Sequence, residues 1–372
     1  MSGERKKIVI IGASGGSGEH VAHRLAREIN KHGHSFDISL VTRAVSGADN
    51  RGLGLAQEII ETRQDDRKHD VNANVPYSLR SELHLLYDSN KPETLEPALK
   101  DADIVILATG LPRPNVKQGQ KPVERSSLIA ANSGAVIPAA KAFARYAPKQ
   151  AKMIMFTNPL DNEVKIADDT IREEREKIGQ PVAKDEVTVI GMGPSLDESR
   201  ARAITAQIIT SALKEKDSSA ALSLQELCGD KITARVYGEH GPNMVIDLDS
   251  MLIKHEENEY TLNEFLDAVG LGNKKDKIRG EIKTEVSRAG GIMIKNLGRS
   301  AQSSTGERTA EHVVDVLLGK GDKIITASAV SAFGDDETPV AYGRPLQIGN
   351  GEITLADFPK NMNPEVRDAI HK

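Results

Sequence analysis

Short apolar runs recur along the first half of the chain: Ile8–Ile11, Ile38–Val41, Leu83–Tyr87, Ile104–Ala108 and Met153–Phe156. Between them the apolar spacing becomes that of a helix, as in Val21, Leu25 and Ile29, and in the alanine-rich stretch from Leu128 to Tyr146. Strands that are apolar throughout need cover on both faces, and strands alternating with helices are joined in parallel by right-handed crossovers. The pattern predicts an α/β fold with a doubly wound parallel sheet.

After about residue 160 the rhythm changes. The run Arg172–Lys177 offers i, i+4 pairs, Arg172 with Glu176 and Glu173 with Lys177, and reads as a solvated helix face. Helical spacing returns near 198–216 and 275–298, followed by strand-like segments at Lys323–Val330 and Val340–Gly349. Pro138 predicts a kink or break in the alanine-rich helix. The change of rhythm divides the chain into residues 1–158 and 159–372.

Composition narrows the possibilities further. A length of 372 residues suggests two to three folding units, and 28% charged residues fit an ordinary globular mix. The net charge of −5 and the absence of tryptophan disfavour a nucleic-acid partner. The single cysteine, Cys228, excludes an intrachain disulfide and any multi-cysteine metal site, and suits a reducing compartment. No apolar run is long enough for a signal-peptide core or a membrane span, so a cytoplasmic location and no membrane partner are expected. Histidines 20, 23, 32 and 34 lie on the first helix and its exit without an obvious carboxylate or cysteine set, so no metal site is expected.

Candidate chemistry starts at the first strand's end. Gly12, Gly15, Gly16, Ser17 and Gly18 form a turn that opens a helix, where free N–H groups and the helix dipole favour a dinucleotide's diphosphate. Such a turn by itself also serves strand–helix packing. At the end of the second strand, where a carboxylate would select an unmodified ribose, the sequence has Thr42, Arg43 and Ser46. A guanidinium and hydroxyls suit a 2′-phosphate, so NADP(H) is expected over NAD(H).

Four further segments stand out: Thr109-Gly110 with Arg113, Thr157-Asn158-Pro159, Leu196-Asp197 with Arg200, and Gly238-Glu239-His240-Gly241. With the glycine turn, and in this order over roughly residues 6–350, they resemble the lactate/malate dehydrogenase family of 2-hydroxyacid dehydrogenases. The resemblance implies a Rossmann domain followed by an α+β catalytic domain, assembled as a homodimer or homotetramer. It implies that His240 is the acid/base, oriented by Asp197, with Arg125 polarising the substrate carbonyl upon loop closure. Arg200 would fork onto the 2-oxo carboxylate, Asn158 and Asn132 would assist, and Thr109 and Gly110 would line the cofactor. Arginine at 113, where the family reads the distal end of its substrate, implies a small anionic dicarboxylate of malate type.

The segment between Arg113 and Arg125 is longer than is usual in the family and carries Lys117 and Lys121. That length suggests a more highly charged oxo acid as an alternative substrate, for instance one bearing a phosphonate. Two other classes compare less well. A related nicotinamide-dependent glycoside hydrolase needs a cysteine motif that Cys228 lacks, and a non-catalytic dinucleotide sensor has no use for Asp197, Arg200 and His240 together.

Overall fold

The computed structural model describes residues 6–32, 36–43, 84–87, 91–111, 125–216, 231–333 and 336–370, together with 54–55, 58–59 and 227. Its main feature is a nine-stranded sheet. Six parallel strands come first: β1 (Lys6–Ile11), β2 (Phe36–Arg43), β3 (His84–Tyr87), β4 (Ile104–Leu107), β5 (Lys152–Met155) and β6 (Val189–Gly191). They run in the order β3-β2-β1-β4-β5-β6, which reverses direction between β1 and β4 and leaves a crevice at their carboxyl ends. An antiparallel extension, β10 (Lys323–Phe333), β11 (Asp336–Gly349) and β12 (Glu352–Leu355), joins the β6 edge through Ser328 opposite Gly191.

The continuous apolar runs have the cause anticipated from the pattern. In β1, Ile8 and Ile10 enter one core while Val9 and Ile11 enter another, and β4 divides its residues the same way. The first core is covered by α1 (Gly16–His32) and α8 (Ser303–Leu318). The second is covered by α3 (Arg125–Tyr146) and α4 (Leu160–Lys177), with the short α2 (Glu96–Leu99) beside them. Burying both faces of every central strand is what forbids polar alternation there.

A third core belongs to the second half of the chain. It gathers α5 (Gly193–Lys216), the three-stranded sheet β7 (Ile232–Tyr237), β8 (Val245–His255) and β9 (Asn258–Thr261), α6 (Leu262–Ala268) and α7 (Lys275–Leu297). The α6 helix is started by a capping box, Glu264 N donating to Thr261 Oγ1 while the Glu264 carboxylate accepts from Thr261 N. The last described helix, α9 (Pro364–Ile370), is short.

Two local expectations are corrected. The α3 helix runs from Arg125 to Tyr146 without a break at Pro138. The charged stretch of α4 is not a solvated face with the expected pairs. Arg172 bonds Asp168 at 2.6 Å, one turn earlier, and Lys177 bonds Glu174 rather than Glu173. Glu174 is buried beneath Arg145 and Lys177, and Arg175 is fully buried, donating to the Pro148 and Lys149 carbonyls over the Phe143 ring. Arg172 pairs one turn back along the helix instead of forward, Lys177 takes an i, i+3 partner, and tertiary carbonyls of Ala183, Glu186, Pro148 and Lys149 hold the guanidinium groups of Arg172 and Arg175.

Candidate active site

The glycine turn lies at the switch point of the sheet. Gly12 has φ +85°, and a Cβ there would stand 2.9 Å from the Ala108 carbonyl oxygen at the end of β4. A Cβ on Gly18 would come within 2.4 Å of the Gly12 carbonyl oxygen, so the first turn of α1 can press onto the strand end only because this position is bare. Above them Gly15, Gly16 and Ser17 face a cavity of about 370 Å³ that Thr109 and Gly110 line from the β4 side. Thr109 Oγ1 is buried there with no protein partner among the described residues. A backbone cradle without side chains and a spare buried hydroxyl fit the diphosphate end of a dinucleotide.

At the neighbouring strand end, Thr42 is buried and Arg43 closes β2 opposite Tyr87. Ser46 and Arg113 lie outside the described residues. Arg125 begins α3, but its side chain lies outside what is described. The expectations attached to the 114–124 segment fall there too.

The second half of the chain supplies the opposite wall of the same cavity, including Arg200 and His240, with Asn158 beside them. His240 sits in the turn between β7 and β8, where Gly238 and Gly241 have φ +77° and +141°. Both values lie in the region that side chains disfavour, so the glycines on either side let the chain reverse tightly around the imidazole. Gly193, at the start of α5, packs against the ring so closely that a Cβ would stand 2.4 Å from His240 Cγ. The imidazole is largely withdrawn from solvent: 15% of the His240 side chain is exposed.

His240 Nδ1 lies 2.6 Å from Asp197 Oδ2, and Arg200 Nη1 donates to Asp197 Oδ1 at 2.7 Å. Asp197 and Arg200 are one turn apart on α5, which places both on one helix face. Asp197 is fully buried. A carboxylate can only accept, so Nδ1 carries the proton and Nε2 is left for the cavity. Burial opposes a charged imidazole, yet the Asp197 carboxylate, with Asp161 behind it, outweighs that cost and holds the His240 pKa above the ordinary value. Arg200 is occupied on one edge only. Its Nε is buried without a partner, and Gly290 of α7 lies over the guanidinium.

Two residues depart from the sequence reading. Asn132, expected to assist the substrate, is buried and spends its amide on the backbone: Oδ1 accepts from Leu111 N at 2.6 Å and Nδ2 donates to the Asn158 carbonyl at 2.5 Å. It is a strut between the β4 exit and Asn158, beside the hydrogen bond from Thr157 Oγ1 to the Thr109 carbonyl. Asp161 escaped the reading altogether. It accepts from His240 N at 2.8 Å and from Ser328 Oγ at 2.6 Å, and burial raises its pKa against those two hydrogen bonds. The signal was present two residues after Asn158-Pro159, a carboxylate at the start of a helix. Near α1, His23 lies among Glu19 and Glu58, carboxylates that the sequence reading did not place beside it; the His23–Glu58 contact is 3.7 Å.

Comparison with known proteins agrees with this geometry. A family model described as lactate/malate dehydrogenase, NAD binding domain, matches residues 6–179. The cytoplasmic malate dehydrogenase of Rattus norvegicus is 24% identical over 272 residues, 72% of this chain and 70% of that protein. The malate dehydrogenase of Symbiobacterium thermophilum is 26% identical over 367 residues, 96% of this chain and 92% of its own length. Among solved structures, malate dehydrogenase of Cryptosporidium parvum superposes with a TM-score of 0.69 at 20% identity, covering 99% of this chain and 95% of the other.

Proposed function

We propose that the chain belongs to the lactate/malate dehydrogenase family and is an NADP(H)-favouring dehydrogenase of malate type, acting on a small 2-oxo/2-hydroxy dicarboxylate. The observation that carries the reading is a single cavity shared by the glycine turn, Asn158, Arg200 and His240. A cofactor cradle and a charged acid/base pair face each other across it, as hydride transfer beside a hydroxyl group requires.

Each group has a task in that reaction. A nicotinamide held at the glycine turn would supply the hydride chemistry at the substrate's carbinol carbon. His240 Nε2 takes the hydroxyl proton during oxidation and returns it during reduction, while Asp197 fixes the tautomer through Nδ1 and stabilises the imidazolium. The free edge of Arg200 anchors the substrate's 1-carboxylate without leaving Asp197. By family resemblance Arg113 reads the distal carboxylate, Arg125 polarises the carbonyl, and Asn158 orders the reacting end. Arg43, with Thr42 and Ser46, supports the 2′-phosphate preference because no carboxylate stands at that strand end.

The same reading assigns residues 1–158 to the cofactor and 159–372 to catalysis and assembly, as a homodimer or homotetramer. The described helices include none long and apolar enough to cross a membrane, and the cytoplasmic relatives support a cytoplasmic site of action. The test is a panel of 2-oxo acids of increasing charge, monitored by reduced-cofactor absorbance with NADPH and NADH in parallel. Oxaloacetate-like acids should outpace pyruvate, and NADPH should outpace NADH. Equal turnover of pyruvate, or a clear NADH preference, would overturn the corresponding half of the proposal.

A further inference from the structure

The glycine turn from Gly12 to Gly18 contains no cation, and the first turn of α1 adds an acid, Glu19. A diphosphate cradled there would meet backbone N–H groups but no formal positive charge from the turn itself. The far wall of the cavity supplies one. Arg299, Ser300 and Gln302, in the turn between α7 and α8, line the same space as Gly15, Gly16 and Ser17.

We propose that Arg299 and the Gln302 amide close the dinucleotide site from the second half of the chain by binding the diphosphate; this rests on reading the cavity as a nicotinamide dinucleotide site. Contact across the cavity is already close. A Cβ on Gly16 would stand 2.1 Å from Gln302 Nε2 and 2.7 Å from Oε1, so the amide lies directly on the bare backbone of the turn. Gln302 occupies the N-cap of α8 without a capping bond, and among the described residues its side-chain amide makes no hydrogen bond, so its donors are open to a ligand. Among the described residues Arg299 is exposed and engaged in no ion pair.

The turn is also fixed in place relative to the glycine turn. Gly306, one turn into α8, lies so close to α1 that a Cβ would come 2.7 Å from His20 Cβ and 2.9 Å from Val21 N. On the other side, α7 stops at Gly298, whose left-handed φ of +67° reverses the chain just before Arg299. The cation is therefore presented by a segment docked on the very helix whose start holds the phosphates, and the pair forms one preorganised site.

The experiment measures NADPH and ADP-ribose affinity by calorimetry, and the oxo-acid KM at saturating dinucleotide, for the full-length wild type and for Arg299→Ala, Arg299→Lys and Gln302→Ala. ADP-ribose retains the diphosphate but lacks the nicotinamide and the 2′-phosphate. Arg299→Ala should weaken both ligands by about ten- to a hundredfold, the range for a hydrogen bond to a charged group. Gln302→Ala should cost less, Arg299→Lys should recover part of the loss, and the oxo-acid KM should not move. Unchanged ADP-ribose affinity, or an effect confined to the oxo-acid KM, would overturn the proposal while leaving the dehydrogenase reading intact. Failure of the wild type to bind either NADPH or NADH would overturn both.

Discussion

The backbone N–H of His240 donates to Asp161 Oδ2 at 2.8 Å, so the histidine is held at two points, its main chain by Asp161 and its ring by Asp197. The two acids come from different helices, α4 and α5, and Ser328 of β10 holds the other oxygen of Asp161 at 2.6 Å. Asp161 touches no reacting atom and acts as a positioning residue for the turn. Asp161→Ala leaves a buried N–H and hydroxyl unpaired, a loss of about 1–3 kcal/mol. Turnover should fall roughly tenfold with dinucleotide affinity unchanged, and Asp161→Asn, which still offers an acceptor, should recover most of it. Equal kcat in Asp161→Ala and wild type would show that the ring contact alone positions His240.

On the proposed reading His240 carries the proton, and its removal should separate chemistry from binding. His240→Asn should leave NADPH affinity near that of wild type while lowering kcat by about 10²–10⁴, the usual worth of a positioned acid or base. Near-normal turnover would remove His240 from the mechanism.

The raised His240 pKa sets the direction of the pH dependence. Reduction of an oxo acid needs the imidazolium, so its rate should hold at low pH and decline only as pH climbs through the raised pKa. Oxidation needs the neutral ring and should show the mirror-image limb. Burial opposes the charge and the Asp197 carboxylate sustains it, so Asp197→Asn should move both limbs to lower pH. The check is kcat/KM against pH in both directions; a profile that stays in place in Asp197→Asn would assign the limb to another group.

The proposed reading gives substrate choice to Arg113, which lies outside the described residues. If Arg113 meets the distal carboxylate, Arg113→Gln should shift kcat/KM from dicarboxylic toward monocarboxylic oxo acids, because a buried unpaired cation no longer penalises the smaller substrate. Unchanged selectivity would hand the task to another cation.

The parts of this molecule that were readable from its sequence are those governed by local rules. The runs at β1, β2, β4 and β5 were legible because burial on both faces removes polar alternation, and the glycine turn because only bare positions such as Gly12 and Gly18 allow such close backbone contact. β6, with Val189 and Ile190 before Gly191, offers too few apolar residues to stand out. The pairing of His240 with Asp197 was inferred from motif order, not from spacing, since 43 residues separate them. Gln302 and the strut role of Asn132 were not legible, because each depends on which backbone the tertiary fold brings to it, and Asp161 left only a carboxylate at a helix start, with nothing local to tie it to His240.

Glu163 provides a test of stability away from the chemistry. It is fully buried on α4, and among the described residues its carboxylate has only Ser133 Oγ at 3.4 Å for company, a hydroxyl already donating to the Ile129 carbonyl. Burial lifts its pKa from 4.5 to about 7, with the Ser133 contact opposing only weakly. Below the lower value the group is neutral in both folded and unfolded chains and costs nothing. Between 4.5 and about 7 the unfolded chain loses its proton while the folded one retains it, so stability falls as pH rises. Above that window the penalty is constant, on the order of 3 kcal/mol. Glu163→Gln removes the titration, so its melting temperature relative to wild type should rise between about pH 5 and about pH 8. Ser133 follows the Asn132 strut directly, so the same titration loads the α3–α4 contact beneath Asn158. A melting-temperature difference that is the same at both pH values would mean that Glu163 has the same pKa in the folded and the unfolded chain.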